Sequence, residues 1–427
     1  MRHEPGAGRY DRIVRMIEES EKLKSDTEAK AARLADRLVP WTFAATGLSW
    51  LLTRSAARAA SILMVDFCCA LKLAMPISFL SAMREAGSHR IMVKGGKFME
   101  GYSEAVTIVF DKTGTLTKAS PKVHAVVPFG GRPEAELLRL AACLEEHYPH
   151  SIANAVVKEA ESRGLLHEER HSRVEYIVAH GIASSIDEKE VRIGSWHFIF
   201  EDEKCVCPED ERETLDTLPD EYSHLYMAID GQLAAVILIE DPLKEESRRT
   251  VEQLHELGFE RVVMMTGDSR RTAAAVAAKV GVDAYYSEVL PEEKAAFIRS
   301  EHEQGRKVIM IGDGINDTPA LSEADVGVAI NSGAAIAREV ADVMILEDDL
   351  VSLVTLKRIS DGLMKRINTN YRMIIGFNFA LIALGAAGLL ASSTTAFLHN
   401  ASTIAISLNS MTNLLEEPRE RRIRFRR

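Results

Sequence analysis

The chain has 427 residues, a formal net charge of −11 and a hydrophobic content of 46%. That length accommodates two or three domains with their own cores, and the apolar content excludes a chain that is disordered throughout. The acidic balance argues against a general nucleic-acid binder, which is usually basic, so we expect no nucleic-acid partner. The five cysteines form an odd set without the spacing of small disulfide-linked domains, which favours reduced thiols.

The first 86 residues change from charged to apolar. Residues 1–36 alternate charged and apolar side chains, a pattern that predicts a charged stalk helix. Two apolar runs follow, and each approaches the roughly 20 residues that a membrane helix needs. We therefore predict two transmembrane helices within residues 37–86. The second run contains Asp66 and Lys72, and charged side chains are costly in lipid and usually functional there.

The C-terminal region repeats this arrangement. An apolar run with several glycines precedes a more polar one, which predicts two further transmembrane helices within residues 361–415. The arginine-rich tail, residues 416–427, belongs on the cytoplasmic side by the positive-inside rule. The sequence thus predicts a multi-pass protein of the cell membrane, in contact with membrane lipid, whose soluble domains lie in the cytoplasm.

The soluble middle has mixed α/β character, with three short apolar segments that read as strands. They are residues 106–110, 261–265 and 308–311. Each ends in a polar cluster, and ligands bind at the carboxyl edge of parallel sheets. The clusters read DKTGTLT from Asp111, TGD from Thr266 and GDGIND from Gly312, with Lys294 between the last two.

These clusters contain what phosphoryl transfer requires, namely a nucleophile, a metal site and donors to the transferred group. The Asp111 carboxylate can form an acyl phosphate, and Asp313 can bind Mg²⁺. Thr266 can hold phosphate oxygens, and Lys294 can supply positive charge to the developing anion. One such cluster alone would be interpreted as an ordinary turn. Three in this order, each after an apolar strand, favour a phosphoryl-transfer site.

The three motifs resemble those of P-type ATPases, which belong to the haloacid dehalogenase superfamily. The resemblance implies an α/β fold, a Rossmann-like phosphorylation domain (residues 87–120 and 237–360) with an inserted α+β nucleotide-binding domain (residues 121–236), flanked by transmembrane helices. ATP and Mg²⁺ are the implied cofactors. Asp111 would be the nucleophile, and Asp111, Thr113 and Asp313 would bind Mg²⁺. The same match assigns the remaining catalytic positions to Lys112, Thr266, Gly267, Asp268, Lys294, Asn316 and Asp317.

Thr113 distinguishes a pump from a phosphatase. Phosphatases of this superfamily resemble one another in carrying an Asp two residues after the nucleophile as general acid–base, whereas this chain has Thr113. A threonine hydroxyl cannot act as a base near neutral pH. The acyl phosphate is therefore expected to persist, as a transport cycle requires.

The inserted domain has features that are similar to heavy-metal pumps. The sequence EHYPHS resembles their Ser-Glu-His-Pro motif, whose His contacts adenine. His150 aligns best with that His, and His147 is the second candidate. Gly181 and Gly194 match a Gly-x-Gly turn and a later Gly, although Ala179 replaces the first glycine. Glycine permits close approach of a ligand to the backbone.

The second apolar run resembles the Cys-Pro-Cys stretch of the same pumps. Cys69 keeps the second Cys, while Phe67 and Cys68 replace the first Cys and the Pro. Thiolates favour soft or borderline ions, so a transition metal cation is the expected cargo. For His399 and Met411 in the last span, helix packing is an equal alternative. The candidate residues for the transported ion are Asp66, Cys68, Cys69, His399, Asn409 and Met411.

The chain contains no Thr-Gly-Glu motif of the kind that the actuator domain of P-type ATPases carries. We therefore interpret it as the C-terminal portion of a heavy-metal-transporting P-type ATPase, with an upstream segment carrying the actuator domain as a partner. Two alternatives stay open. One is a truncated fragment that binds ATP without completing transport, and the other is a phosphatase of the haloacid dehalogenase type.

Overall fold

The computed structural model describes residues 24–147, 151–165, 175–177, 181–186, 189–312, 315–330 and 339–415. The helices are α1 (Asp26–Thr53), α2 (Ala56–Leu63), α3 (Phe67–Ser88), α4 (Gly96–Glu104), α5 (Glu134–Glu145), α6 (Ser151–Ser162), α7 (Arg212–Asp216), α8 (Ser247–Glu256), α9 (Arg270–Val280), α10 (Pro291–Glu303), α11 (Thr318–Glu323), α12 (Val351–Ala386) and α13 (Ser392–Ser410). The strands are β1 (Ile91–Val93), β2 (Thr107–Asp111), β3 (Lys122–Pro128), β4 (Glu175–Ile177), β5 (Gly181–Ile186), β6 (Lys189–Gly194), β7 (Ser223–Ile229), β8 (Gln232–Glu240), β9 (Arg261–Met265), β10 (Ala284–Tyr286), β11 (Val308–Gly312), β12 (Val326–Ile330) and β13 (Val343–Ile345).

The chain divides into two compact units. The first comprises Met1–Ile108, Gln253–Glu260 and Ala295–Arg427, and the second comprises Val109–Glu252 and Arg261–Lys294. The three strands predicted from the sequence are present as β2, β9 and β11, each within one residue of its predicted bounds.

In the first unit, α1 joins the predicted stalk and the first apolar run into one helix. It begins after Ser25, whose hydroxyl accepts a hydrogen bond from the Glu28 amide at 2.9 Å, an N-cap that satisfies a free helical donor. It ends at Arg54, which has a φ of 51°. The predicted boundary at residue 36 therefore falls inside a continuous helix.

The second apolar run forms two helices instead of one. Asp66 divides them because its carboxylate caps the start of α3, accepting from the amides of Cys68 at 2.7 Å and Cys69 at 3.1 Å. Within the described residues, one helical stretch, Ala56–Ser88, has the length and apolar composition of a membrane span, with a mean hydropathy of 1.8. In the described part of the chain, the other predicted spans do not combine the length and the apolar composition that a membrane span needs.

The C-terminal helices pack against α3. Helix α12 is 36 residues long and runs through the predicted domain boundary at residue 360. Both α12 and α13 contact α3. The buried side chains of Asn370 and Ser410 join α12 to α13 through a hydrogen bond of 2.9 Å. A polar contact of this kind fixes the alignment of two apolar helices.

The first unit also contains a sheet region in which β11, β12 and β13 are parallel and β1 is antiparallel to β13. Strands β11 and β12 are buried along their whole length, as parallel strands covered on both faces are. Helix α11 lies close to β12, since a Cβ placed on Gly327 would stand 2.5 Å from the carbonyl oxygen of Leu321.

The second unit contains the parallel pair β9–β10 and a six-stranded antiparallel sheet in the order β3-β8-β7-β6-β5-β4. Alternate side chains of β8 face opposite cores, because successive residues of a strand point to opposite faces. Ile237 packs with α5 and α6 on one face, and Val236 packs with Phe129 and Phe198 on the other. This sheet forms the inserted domain, and it extends from Lys122 to Glu240, slightly beyond the predicted limit at residue 236.

Candidate active site

The Asp111 carboxylate stands at the end of a fully buried strand and is itself only 8% exposed. Its partner is Lys294 in the first turn of α10, whose Nζ donates to Asp111 Oδ1 at 2.5 Å. Both side chains are almost completely excluded from solvent. A cation at this distance stabilises the negative charge of the carboxylate, which burial alone would disfavour.

A second charged pair lies next to the first. The Lys112 ammonium contacts the Asp268 carboxylate, and the lysine is 4% exposed. Asp268 belongs to the cluster after β9, where its amide donates to Thr266 Oγ1 at 3.1 Å. The structure therefore brings together the first two polar clusters and Lys294, as the sequence suggested.

The turn after Asp111 is shaped by Gly114, which has a φ of 74°, a conformation that side chains disfavour. The Gly114 amide donates to Thr117 Oγ1 at 3.1 Å. The Leu116 carbonyl accepts from the Lys244 amide and from the Ser247 hydroxyl, both at 2.9 Å. These bonds fix the turn and leave Thr113 exposed.

Asp241, which directly follows β8, is a site residue that the sequence analysis did not select. Its carboxylate is hydrogen-bonded to the Thr117 side chain and interacts electrostatically with Lys112 and Asp268. Burial raises the pKa of Asp241, and the Thr117 hydrogen bond and the Lys112 charge offset part of that increase. Its buried Oδ1 atom has no hydrogen-bond partner within the described residues. The sequence feature that could have identified Asp241 is its position, since its carboxylate follows an apolar strand directly.

The third cluster is described only in part, because Asp313 lies outside the described residues. Asn316 is exposed, whereas Asp317 is 2% exposed and precedes α11. A Cβ placed on Gly312 would stand 2.5 Å from Asp317 Oδ2, so the glycine is needed for this close approach. These residues belong to the first unit.

The nucleotide-site candidates are also partly described. Gly181 and Gly194 are directly paired across β5 and β6. A Cβ on Gly181 would stand 2.4 Å from the Ile193 carbonyl oxygen and 2.5 Å from the Phe198 ring. Protein atoms thus already require glycine at position 181. His147 is exposed just after α5, and His150 lies outside the described residues.

The candidate ion ligands do not form one cluster. Asp66 and His399 interact electrostatically, and buried His399 lies 3.2 Å from Asn378 Oδ1 on α12. Asn409 and Met411 are exposed. Asn409 stands ten residues beyond His399 on α13, which corresponds to about 15 Å of helix. Within the described residues, no group of three or more His, Cys, Asp or Glu side chains could hold a metal ion.

Near the two cysteines, the helices carry a charged pair. Lys72 Nζ donates to Asp36 Oδ1 at 2.6 Å, and Cys68 Sγ is 4.0 Å from the same oxygen. Asp66 also borders a cavity of about 200 Å³ between α1 and the start of α3, whose other lining residues are apolar except Thr42. The thiols and Asp66 therefore lie at the N-terminal end of α3.

A family model of haloacid dehalogenase-like hydrolases matches residues 106–325, which is more than half of the chain. The chain therefore belongs to the haloacid dehalogenase-like hydrolases, and the predicted fold class is confirmed.

Similar curated proteins indicate which members of this family the chain resembles. The chain is 34% identical over 402 residues to a manganese-exporting P-type ATPase of Mycobacterium tuberculosis, covering 93% of the chain and 56% of that protein. It is 33% identical to a zinc-exporting P-type ATPase of Mycobacterium marinum, covering 93% and 55%. It is 32% identical to a copper-exporting P-type ATPase of Bacillus subtilis, covering 93% and 51%. The chain thus spans about half the length of these curated relatives.

Solved structures that are similar to this chain also come from ATPases. A zinc-transporting PIB-type ATPase in its E2.Pi state superimposes with a TM-score of 0.72 at 26% identity, covering 96% of this chain and 68% of that one. The catalytic domain of a CPx-ATPase gives a TM-score of 0.52 at 26% identity, covering 65% and 98%. The predicted resemblance to heavy-metal-transporting P-type ATPases is therefore confirmed.

Proposed function

We propose that this chain is the catalytic and ion-path portion of an ATP-driven exporter of a transition metal cation, working through an aspartyl-phosphate intermediate. The observation that carries the proposal is the buried Asp111 carboxylate, ion-paired to Lys294 at 2.5 Å at the end of β2. Homology to metal-exporting P-type ATPases over 93% of the chain supports it.

The geometry supports nucleophilic attack by Asp111. An Asp111 oxygen would attack the γ-phosphorus of ATP, the bond from that phosphorus to the bridging oxygen would break, and ADP would leave. Lys294 and Lys112 would stabilise the negative charge on the transferred group, since fixed charges act strongly in a site from which water is excluded. Thr113 supplies no general base, so the acyl phosphate would persist.

The side chains at this site suit Mg²⁺, which prefers oxygen ligands. The described donors are carboxylates and hydroxyls, and the buried Oδ1 of Asp241 has no hydrogen-bond partner among the described residues. Asp111 and Thr113 are the described residues that would hold the ion, and Asp313, which the motif match also implies, lies outside the described residues. When bound, Mg²⁺ would neutralise charge on the phosphate oxygens. ATP would be held by the inserted domain near Gly181, Gly194 and a histidine, His150 or His147.

The proposed membrane region includes more helices than the one stretch that has the length and apolar composition of a span. We propose a multi-pass protein of the cell membrane, with its soluble domains in the cytoplasm and α1 to α3, α12 and α13 in contact with lipid. The exposed apolar side chains of Trp41, Leu52, Phe379 and Phe397 on these helices support this arrangement. The cargo would pass near Asp66, Cys68 and Cys69, and an upstream segment would supply the actuator domain.

Acyl-phosphate formation from labelled ATP tests the proposal. Membranes with the parent chain should form a hydroxylamine-sensitive, Mg²⁺-dependent phosphoprotein, which Asp111→Asn should abolish. Asp210→Asn is the matched control, because Asp210 is exposed in the same unit. A signal that survives Asp111→Asn would contradict the proposal. Rapid release of phosphate without a trapped intermediate would instead favour the phosphatase alternative.

A further inference from the structure

A loop of the inserted domain is held by the helix that leaves the second polar cluster. The helix is α9, whose N-cap Ser269 directly follows Asp268. The loop consists of residues 219–222 and leads into β7. Both segments belong to the second unit, so their contacts lie within one compact body.

Three contacts join this 219–222 loop to α9. The Lys279 ammonium contacts the Glu221 carboxylate. The Arg271 guanidinium lies 3.6 Å from Asp220 Oδ1. Thr272, which is only 5% exposed, donates from its hydroxyl to the Tyr222 carbonyl oxygen at 3.1 Å. Two ion pairs therefore border one partly buried hydrogen bond.

The loop has a fixed shape on its own side. The His224 ring spans two groups, with Nε2 2.9 Å from the Pro219 carbonyl oxygen and Nδ1 3.0 Å from Tyr226 Oη. Burial lowers the pKa of His224, so at neutral pH one ring nitrogen donates and the other accepts, which matches these two partners. The His124 ring stacks on Tyr222 with centroids 4.1 Å apart. These contacts restrict the conformations that the loop can adopt.

We propose that this contact is a latch that sets how often bound ATP reaches Asp111, with Asp220, Glu221, Arg271, Thr272 and Lys279 as positioning residues. The inference rests on the proposed function. Exposed ion pairs contribute little to stability singly, so such a latch can open and close. Phosphoryl transfer depends on placement of the reacting groups, so a shift of the nucleotide-binding sheet relative to α9 slows the reaction without touching the chemistry.

Charge reversal tests the latch. Lys279→Glu and Glu221→Lys each place like charges opposite one another, while the double swap restores attraction. In the purified full chain we expect each single variant to slow acyl-phosphate formation at saturating ATP by about three- to tenfold. The Kd of a fluorescent ATP analogue should change by less than about twofold, because Glu221 and Lys279 are not among the proposed nucleotide contacts. The double swap should recover at least half of the parent rate.

Hydrogen exchange of residues 220–224 supplies a readout that does not require catalysis. These amides should exchange faster in both single variants and return towards the parent rate in the swap. Arg248→Glu is the control, because Arg248 forms an exposed pair with Glu252 on α8 at 3.0 Å. It should change neither readout.

The outcomes separate the two proposals. A parent chain that forms no acyl phosphate contradicts the proposed function. In that case the exchange rates of the single variants and the double swap still test whether the latch contact exists. Single variants that match the parent in exchange and rate, or a swap as slow as the single variants, overturn the latch.

Discussion

Asp111 and Lys294 are both charged and both nearly excluded from solvent. Removing two charges from water is costly, and their attraction offsets this only with good geometry and further hydrogen bonds. Such a pair is weak evidence for stability, because an apolar pair of the same volume is often as stable. Its presence at a strand end, next to the pair of Lys112 and Asp268, is better explained by a reaction that needs a carboxylate nucleophile beside fixed positive charge.

Replacing Lys294 with methionine should separate these two roles. Lys294→Met removes the ammonium that faces the buried Asp111 charge, which should lower the free energy of unfolding by about 3 kcal/mol. It should also slow acyl-phosphate formation by about 10²-fold or more, since fixed positive charge at the reacting group is lost. Urea unfolding and a labelled-ATP time course measure the two effects.

The double variant Lys294→Met with Asp111→Asn provides the control for stability. It removes the buried Asp111 charge as well, so it should be more stable than Lys294→Met alone by about 1–3 kcal/mol. Lys158→Met, at an exposed position on α6, should leave both stability and rate near the parent values. Equal stability of the single and double variants would argue against the ion pair as described.

At the scale of elements, strands were easier to predict than helix boundaries. Strands β2, β9 and β11 are short apolar runs that end at, or directly before, Asp, Thr or Gly, and buried parallel strands have this simple pattern. Helix boundaries depend on caps and tertiary contacts. The apolar run at residues 59–83 divides at Asp66 because its carboxylate caps a new helix, and α12 passes from charged to apolar sequence without a break.

Helix α5 carries a buried carboxyl that should make the inserted domain sensitive to pH. Glu145 is 2% exposed, and burial raises its pKa from 4.5 to about 7. The folded state then keeps a proton that the unfolded chain releases, so this stability is fully present below pH 4.5 and is lost as pH rises through 7. Once the pH has risen above 7, the total loss in the free energy of unfolding is on the order of 3 kcal/mol. Glu145→Gln should remove this slope and be more stable than the parent at pH 8.

Urea unfolding at pH 5 and pH 8 checks this expectation, with hydrogen exchange in β3 to β8 as the measure of unfolding of the inserted domain. Glu146→Gln is the matched control, since Glu146 is the exposed neighbour at the end of the same helix. Its pH dependence should parallel that of the parent. A Glu145→Gln variant that keeps the parent slope would assign the pH dependence to another group.

At the scale of the whole molecule, the sequence predicted which side chains meet after the strands better than it predicted a cluster of ion ligands among the described residues. Asp111, Thr266 and Lys294 follow strands or begin a helix, so local pattern was enough to place them. Asp241 was missed because one carboxylate after a strand carries no motif. The ion-path residues were selected by resemblance alone, and the ten residues between His399 and Asn409 separate them by about 15 Å along α13.

The division into two units leads to a prediction about nucleotide binding. A ligand stabilises the folded body that holds it, by about 2.7 kcal/mol at 100 times its Kd. A non-hydrolysable ATP analogue at that concentration should slow exchange in β5 and β6, which carry Gly181 and Gly194, by up to about 100-fold. Exchange in α12 and α13, which belong to the other unit, should be unchanged. Inorganic phosphate alone is the control and should not protect β5 or β6. Equal slowing in α12, α13 and the sheet would show instead that the two units open together.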